Sequence, residues 1–357
     1  MTTASITNMT QHPVRVGLVG YGFGGRTFHA PFIAAATDCE LIGVVTRDPE
    51  RRAAAQAEHP STQCVDSLED LVRIGVEAVA ISTPADTHIE LVHQAIDLGL
   101  AVVCDKPFAL DPQSAQSAYE HAEGKRIVIS VFQNRRWDSD LLTVQRLIKE
   151  DTLGTITRFE SRFERFAPQR GPRRAGGGTL LDLGTHLIDQ ALLLFGPASS
   201  VYGELRTRLD QEGRDDDVFL ALTHESGFTS HLICSWTAGD SRRRFVVSGT
   251  NGAYVVDGLD GQEAALKEGR RPADEGDTWG IERASAWGEI RRGDAPAEKV
   301  PSERGRWDTF YPAFAAAVRG NGAVPVDARD SIRGLQVIAA VRQSAATGQV
   351  VQLVADE

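Results

Sequence analysis

The feature that most restricts the fold of this chain is a glycine-rich segment that directly follows a short apolar stretch. Val14–Val19 is rich in β-branched residues, and Gly20, Gly22 and Gly25 follow it with the spacing G-x-G-x-x-G. In this position the first glycine permits a tight turn, the second lets the backbone approach a pyrophosphate, and the third allows a helix to pack closely on the strand. The segment therefore predicts the strand–loop–helix unit that opens a dinucleotide-binding domain.

Apolar stretches and helix-forming stretches alternate through the first third of the chain. Five short apolar runs, most of them without polar alternation, are typical of strands buried on both faces of a parallel sheet. These runs are Val14–Val19, Leu41–Thr46, Val76–Thr83, Ala101–Cys104 and Ile127–Val131. The helical stretches between them are Pro49–Ala57, Leu68–Arg73, His88–Leu98 and Pro112–Ala122. This alternation predicts an α/β fold, with a doubly wound parallel Rossmann sheet over residues 12–134.

Beyond residue 135 the pattern changes to strand-like stretches with few helices between them. The predicted strands are Ile156–Phe166, Ser200–Leu209, Val218–His224, Thr229–Thr237 and Phe245–Gly249. The predicted helices are Asp138–Glu150, Thr179–Phe195, Trp307–Arg319 and Ala328–Thr347. We expect residues 135–357 to form an α+β substrate-binding and oligomerisation domain with a mostly antiparallel open sheet. One or more of the C-terminal helices could pack against the first domain.

The charge balance excludes several classes of partner. Asp and Glu outnumber Lys and Arg by 49 to 38, for a formal net charge of -11, so nucleic acid is repelled on average. Short arginine runs such as Arg173-Arg174 are scattered and have no accompanying aromatic ladder. No stretch approaches the length of a membrane span, and the polar N-terminus lacks the apolar core of a secretory signal. We expect a cytoplasmic protein with no nucleic-acid or membrane partner.

The residue types that bind metals do not form a recognisable pattern. None of the four cysteines belongs to a C-x-x-C pair, so we expect all four to be reduced and structural. The run Asp215-Asp216-Asp217 is interpreted as a solvated turn, because consecutive acids rarely converge on an ion without further ligands. We expect no metal site.

Residues at the end of the second predicted strand bear on the choice of dinucleotide. An acidic residue about 20 positions after the loop would bind a ribose 2′-hydroxyl, but position 46 is Thr, and Arg47 and Asp48 follow it. A hydroxyl and a guanidinium suit a 2′-phosphate, so we favour NADP(H), with NAD(H) as the alternative. Two roles are open for Asp48, which can turn toward the ribose or cap the helix that begins at Pro49.

Three polar residues are candidates for chemistry. The strand Ala101–Cys104 leads into Asp105-Lys106-Pro107, at the sheet edge where α/β proteins bind ligands. Far downstream, Asp182 and His186 lie four residues apart and so share one face of a predicted helix. Taken alone, the spacing of Asp182 and His186 favours an ordinary hydrogen-bonded pair on one helix face.

Together these motifs resemble the glucose-fructose oxidoreductase/inositol dehydrogenase (Gfo/Idh/MocA) family. Asp105-Lys106-Pro107 is similar to the Glu-Lys-Pro-like tripeptide of that family, with Asp in place of Glu, and Asp182 and His186 match its D-x-x-x-H helix. The resemblance covers nearly the whole chain and is closest to an NADP-dependent scyllo-inositol dehydrogenase branch. The stretches that carry it are Gly20–Pro31, Gln133–Asp138, Gly178–Gly196 and Asp277–Gly280.

The resemblance implies an oxidoreductase that transfers hydride between NADP(H) and a secondary alcohol or ketone of a cyclic polyol or sugar. It implies that His186 is the acid or base, that Lys106 holds the reacting oxygen, and that Asp182 orients the imidazole or binds a hydroxyl. In the family the Lys106–Pro107 bond is commonly cis, and the open sheet forms homodimers or homotetramers. A catalytically silent NAD(P)-binding sensor or regulator of the same fold is the alternative function.

The remaining candidate residues lie in the glycine loop and at strand ends. The candidate cofactor-binding residues are Gly20, Tyr21, Gly22, Phe23, Gly24, Gly25, Thr46, Arg47, Ser82, Thr83, Pro84, His88, Asp105, Lys106, Pro107 and Asn134. Arg165, Arg173 and Trp279 are candidates for substrate contact, although the two arginines could also be surface charges. His88 is interpreted as a structural or cofactor-rim residue, and His29 as a packing or rim residue.

Overall fold

Six parallel strands form the N-terminal sheet, in the order β3-β2-β1-β4-β5-β6. A computed structural model describes residues 12–169, 177–208, 213–240 and 243–353. The strands are β1 (Val14–Val19), β2 (Cys39–Val45), β3 (Gln63–Val65), β4 (Ala78–Ile81), β5 (Ala101–Asp105) and β6 (Ile129–Phe132). The helices are α1 (Ala30–Ala35), α2 (Pro49–Glu58), α3 (Leu68–Arg73), α4 (His88–Asp97) and α5 (Pro112–Lys125). The strand order reverses between β1 and β4, and ligands of doubly wound sheets bind at that point.

The ends of the N-terminal helices follow the predicted capping residues. The Asp48 carboxylate accepts the backbone N–H groups of Glu50 and Arg51, so capping is the role that Asp48 takes. Asp111 caps α5 in the same way by accepting the N–H of Ser114. Strand β3 was not predicted, because three residues of mixed polarity give no periodic pattern.

Nine strands form the C-terminal sheet, in the order β14-β13-β12-β11-β7-β10-β9-β8-β15. The strands are β7 (Ile156–Glu164), β8 (Ala198–Arg206), β9 (Asp217–His224), β10 (Thr229–Ser235), β11 (Arg243–Gly249), β12 (Gly252–Asp257), β13 (Glu289–Arg291), β14 (Glu298–Lys299) and β15 (Val351–Gln352). Its neighbouring strands are antiparallel except β7 and β10, which run parallel. The sequence predicted an open and mostly antiparallel sheet, and that prediction is confirmed. The four strands β12 to β15 were missed because they are short or lie in Gly- and charge-rich sequence.

Helices cover one face of the C-terminal sheet. The helices of this part are α6 (Ser139–Lys149), α7 (Thr185–Phe195), α8 (Gln262–Lys267), α9 (Pro272–Glu275), α10 (Phe310–Val318) and α11 (Ala328–Thr347). Helix α11 packs so closely on β8 that a Cβ at Gly203 would lie 2.7 Å from Val341. Helix α10 instead lies on the N-terminal domain, where Tyr311 contacts His29 and Cys39. No helix in the described parts of the chain is both long and apolar enough to cross a membrane.

Two helical segments beside the carboxyl edge of the N-terminal sheet begin as π-helical turns. One is Gly25–His29, directly after the glycine loop, and the other is Leu180–Gly184, which precedes α7. The predicted helix over Thr179–Phe195 is therefore irregular at its start. Single π turns of this kind recur at functional sites.

Two aspartates and an arginine of the C-terminal part are buried, although the sequence suggested a solvated turn at the aspartates. The interpretation of Asp215-Asp216-Asp217 as a solvated turn is wrong, since Asp215 is 8% exposed and Asp216 is fully buried. The Asp215 carboxylate accepts the N–H of Leu180 at 2.6 Å, so it caps the π turn. Arg244, at 1% exposed, pairs with the Asp140 carboxylate at 3.0 Å.

Candidate active site

A cleft of about 390 Å³ lies at the carboxyl ends of β1, β4 and β5 and continues toward β7 and α7. It therefore occupies the point where the strand order reverses. Residues of both sheets and of the connecting segments line it. The predicted site residues that line it are Gly20, Gly22, Phe23, Gly24, Ser82, Thr83, Pro84, His88, Asp105, Lys106, Pro107, Asn134, Arg165, Asp182 and His186. The fold thus brings predicted site residues from positions 20 to 186 together in one cleft.

The glycine loop fits the close approach of a pyrophosphate. Gly20 has φ +97°, and a Cβ there would collide with the backbone carbonyl oxygen of Ser82. A Cβ at Gly24 would lie 2.6 Å from the Ser82 hydroxyl, and one at Gly25 would collide with the carbonyl oxygen of Gly20. At Gly22, by contrast, the nearest atom would be a guanidinium nitrogen of Arg51 at 3.8 Å, so the backbone faces the open cleft. These are the separate positions that the three motif glycines are expected to occupy.

Arg51 lines the cleft and was not predicted. It lies in the first turn of α2, and its guanidinium approaches the Asp48 carboxylate at 3.8 Å. Thr46 is buried and Arg47 is exposed, and both lie outside the cleft lining. Thr46 and Arg47, the residues predicted to bind a 2′-phosphate, therefore precede the arginine that reaches the cleft by five and four positions. The signal was present in the sequence as a second basic residue four positions after Arg47.

Tyr21 is buried beside the glycine loop. Its hydroxyl donates to Glu58 at 2.7 Å, and the same carboxylate accepts from Arg26 at 2.9 Å. Its side chain is therefore used to hold the loop to the end of α2, and any contact with a cofactor would come from its backbone. Gly25 likewise contributes through packing.

The segments after β4 and β5 are joined by a buried histidine. His88 places Nδ1 2.8 Å from the carbonyl oxygen of Pro107 and Nε2 3.0 Å from that of Thr83. The Lys106–Pro107 peptide bond is cis, as the resemblance implied. His88 therefore has a structural role, which is one of the two interpretations made from the sequence. It also lines the cleft.

Asp105 is held by several donors at the base of the cleft. Its carboxylate accepts the Ser82 hydroxyl at 2.9 Å and the backbone N–H of Lys106 at 2.8 Å. Burial by itself would raise the pKa of Asp105, but His29, Lys106 and His88 together lower it to about 2. Asp105 is therefore ionised at neutral pH.

Lys106 and Asp182 form an ion pair across the cleft. The Lys106 ammonium donates to the Asp182 carboxylate at 2.7 Å and to the Asp182 backbone carbonyl at 3.1 Å. Their side chains are 20% and 15% exposed, so the pair is shielded from water but open to a small molecule. The pair brings β5 and the π turn before α7 together.

His186 is a buried imidazole with an uncommitted ring nitrogen. It is 4% exposed, and no partner within the described ranges reaches its Nδ1. Burial lowers its pKa well below the usual value, and the positive charges of Lys106, Arg135, Arg244 and Arg165 lower it further. His186 is therefore neutral at physiological pH and can accept a proton.

Arginines, a glutamate and aromatic rings form the wall opposite the glycine loop. Arg135 and Arg165 both bind Glu263, at 2.6 Å and 3.2 Å. Their guanidinium carbons lie 4.7 Å and 5.2 Å from the centroid of the Phe163 ring. Trp236 also lines the cleft at this end. Of this wall only Arg165 was predicted, because Arg135 and Glu263 are 128 positions apart and carry no motif.

One predicted substrate residue lies elsewhere. Trp279 is completely buried, its indole N–H donates to Gln262 at 2.9 Å, and its ring packs against Phe32. The prediction that Trp279 contacts substrate is therefore wrong, because its side chain is part of the core and lies outside the cleft lining. Arg173 lies outside the described residues.

Comparison with known proteins identifies the family. The profile described as "Oxidoreductase family, NAD-binding Rossmann fold" matches residues 14–133, and "GFO/IDH/MocA C-terminal domain" matches residues 141–255. The chain belongs to the Gfo/Idh/MocA family of oxidoreductases. Its N-terminal domain is an NAD(P)-binding Rossmann fold, so the family resemblance and the fold class predicted from the sequence are both confirmed.

Relatives in this Gfo/Idh/MocA family match over nearly the full chain. The scyllo-inositol 2-dehydrogenase (NADP(+)) IolW of Bacillus subtilis is 29% identical over 95% of this chain and 96% of its own length. The oxidoreductase YdgJ of Escherichia coli is 35% identical over 91% of this chain and 94% of its own length. A solved structure of an oxidoreductase from Klebsiella pneumoniae has a TM-score of 0.88 at 34% identity, covering 97% of both chains.

Proposed function

We propose that this protein transfers hydride between NADP(H) and the carbinol or carbonyl carbon of a cyclic polyol or sugar. The observation that carries the proposal is the Lys106–Asp182 ion pair in the same cleft as a neutral, buried His186. A bound nicotinamide would supply or accept the hydride. The protein has to hold the substrate oxygen and move one proton, and these three side chains suit that task.

The roles follow from the charges of the three residues. The Lys106 ammonium would bind the substrate oxygen and stabilise negative charge that develops on it. His186 would take the hydroxyl proton during oxidation and return it during reduction. Asp182 would hold the Lys106 ammonium in place beside the substrate oxygen. Each role is proposed from position and charge.

Two observations support NADP(H) over NAD(H). Arg51 stands beside Gly22 at the wall where a ribose would follow the pyrophosphate, and Arg47 lies four positions before it. A guanidinium binds a phosphate through paired, charge-assisted hydrogen bonds. The named preference of the B. subtilis relative for NADP(+) agrees with this choice.

The opposite wall supports a hydroxylated ring as substrate. Glu263, Asp182 and the arginine N–H groups together offer both acceptors and donors, which a polyol needs along its edge. Phe163 and Trp236 supply flat apolar surface beside them. The inositol named for the B. subtilis relative is a molecule of this kind.

A substrate panel tests the proposal directly. Purified protein is mixed with NADPH or NADH and cyclic ketones, and with NADP⁺ or NAD⁺ and the matching polyols. We expect turnover with NADPH and an inosose-like ketone, and its loss in Lys106→Ala, Asp182→Ala and His186→Ala. Lys149→Ala, at the exposed end of α6, is the control. Tight NADPH binding without turnover on the whole panel would favour the sensor function instead.

We also propose that the uncovered face of the C-terminal sheet binds a second copy of the chain. Half-buried side chains line that face: Phe219, Ile233 and Val246 are apolar, and Glu160 and Arg162 of β7 lie between Ile233 and Val246. A face that mixes apolar and oppositely charged side chains can be self-complementary across a two-fold axis, the commonest symmetry of soluble homo-oligomers. Light scattering of Ile233→Asp against the wild type tests for a dimer or tetramer. We further propose that the dinucleotide-binding domain ends at residue 134 and that the second domain begins at residue 135.

A further inference from the structure

Three side chains link helix α10 to the residue that precedes Lys106. Tyr311 places its hydroxyl 2.6 Å from Nδ1 of His29, and Nε2 of His29 lies 3.4 Å from Oδ2 of Asp105. His29 and Tyr311 are both completely buried. Both lie behind the cleft wall, so any influence they have on chemistry passes through Asp105.

The positions of the hydrogens between Tyr311, His29 and Asp105 can be assigned from the two outer residues. The Asp105 carboxylate can only accept, so Nε2 of His29 carries the hydrogen. Nδ1 then presents a lone pair, which accepts the O–H of Tyr311. Burial, with Cys39 and Asp105 nearby, raises the pKa of Tyr311 well above its usual value, so the hydroxyl remains a donor. The Nε2 contact is too long and poorly aligned to be an ordinary hydrogen bond, so it acts as an electrostatic contact between the ring N–H and the ionised carboxylate.

Asp105 connects this chain to the backbone of Lys106. Oδ2 also accepts the Ser82 hydroxyl, and Oδ1 accepts the Lys106 N–H at 2.8 Å. A rotation of the carboxylate would therefore break the bond that orients the Lys106 peptide unit. The ring of His29 is itself fixed against Phe132, with centroids 4.3 Å apart. Ser82 holds Oδ2 by a hydrogen bond, and the fixed ring of His29 keeps an N–H group beside the same oxygen.

We propose that His29 is a positioning residue for Lys106. With Tyr311 it fixes the Asp105 carboxylate, and Asp105 fixes the backbone from which the Lys106 ammonium reaches Asp182. Its predicted effect on turnover rests on the proposed function, whereas its effect on the placement of Lys106 does not. A reacting group displaced by about 1 Å can lose on the order of a hundredfold in rate.

Two amide variants of His29, each of which mimics a different ring nitrogen, distinguish a positioning role from a role in packing alone. The amide nitrogen of His29→Gln can take the place of Nε2 and keep an N–H group facing Asp105, whereas the amide nitrogen of His29→Asn reaches only the position of Nδ1. We expect His29→Asn to lower kcat by about 10- to 100-fold with little change in the Kd for NADPH. His29→Gln should recover most of that loss. Equal losses in both variants would overturn the proposal.

Nuclear magnetic resonance of the lysines gives a readout that needs no substrate. The chain has few lysines, so ¹³C-methylation yields a spectrum in which Lys106 can be assigned by its absence in Lys106→Arg. The lysines are Lys106, Lys125, Lys149, Lys267 and Lys299. We expect the Lys106 signal to shift in His29→Asn and to return toward its wild-type position in His29→Gln. The other four signals should stay in place.

The two measurements fail separately. A Lys106 signal that is unmoved in His29→Asn would overturn the positioning role even if the enzyme is active. The expected Lys106 shifts with no turnover on any ketone would support positioning and contradict the proposed function. If His29→Asn does not fold, Tyr311→Phe removes one hydroxyl from the same chain. A smaller Lys106 shift in that variant would support the proposal, and no shift would contradict it.

Discussion

The ammonium of Lys106 lies 2.7 Å from the carboxylate of Asp182, although 76 positions separate the two residues in the chain. The pair joins the end of β5 to the π turn that precedes α7. Each side chain is mostly shielded from water, so removing either partner would leave the other charge partly buried without its counter-ion. The electrostatics of the site therefore depend on how the two sheets are placed.

We predict that Lys106 and Asp182 act as one unit. Lys106→Met and Asp182→Asn should each lower kcat/KM by roughly a hundredfold or more, because each removes charge that stabilises the reacting oxygen. The double variant should be little worse than the poorer single variant, since residues that act together lose function non-additively. The measurement is steady-state kinetics of all three variants. Losses that multiply in the double variant would mean that the two residues act independently.

We predict that alcohol oxidation is insensitive to pH near neutrality. Because the folded protein keeps the pKa of His186 well below its usual value, the imidazole stays neutral and able to accept a proton at pH 6.5 and above. The rate of alcohol oxidation, measured as kcat/KM, should therefore not fall as the pH is lowered from about 8 to 6.5. A fall in rate with a midpoint near 6.5 would contradict the role of His186 as base.

The same burial of His186 predicts a loss of stability in acid. The unfolded chain binds a proton to this histidine below its ordinary pKa of about 6.5, while the folded state does not, so stability falls as the pH drops below that value. Between pH 7.5 and 5 the free energy of unfolding should fall by up to about 2 kcal/mol more in the wild type than in His186→Gln. Urea denaturation at both pH values measures this difference. Asp260, whose pKa burial raises to about 6, titrates in both proteins and cancels.

We predict that Arg51 contributes to the choice of dinucleotide. Arg51→Ala should lower kcat/KM with NADPH by about tenfold or more, because a charge-assisted bond to a phosphate is lost. Turnover with NADH should change little, since that cofactor has no 2′-phosphate. Arg73→Ala, an exposed arginine of α3, is the matched control. A larger loss in Arg47→Ala than in Arg51→Ala would assign the phosphate to the end of β2.

We predict that Trp279 supports the fold and does not contact substrate. Trp279→Phe keeps the aromatic packing against Phe32 but removes the indole donor, so the Gln262 side-chain carbonyl keeps only the backbone N–H of Trp307. The free energy of unfolding should fall by about 0.5 to 1.5 kcal/mol, the net contribution of one buried hydrogen bond. Thermal and urea denaturation measure the loss, and KM should equal that of the wild type. A raised KM with unchanged stability would restore a substrate contact for this residue.

Local sequence determined the N-terminal sheet and the positions of its loops. Apolar runs, capping residues and the glycine spacing each act over a few neighbouring residues, so they can be recognised without the rest of the chain. For this reason β1, α3 and α11 have the predicted bounds, and Asp48 caps α2. The family motifs likewise identified Lys106, Asp182 and His186, which all line the cleft.

Only the tertiary structure decided what surrounds these motifs. Glu263 joins Arg135 and Arg165 across the cleft, and Tyr311 reaches His29 from a helix 282 positions away. Trp279 has the residue type of a binding site but lies in the core. Burial, partner choice and the resulting pKa shifts depend on contacts between distant segments, and no local pattern encodes those contacts. The sequence thus determined which groups could carry the chemistry, and the packing of the two sheets decided which of them meet and in what charge state.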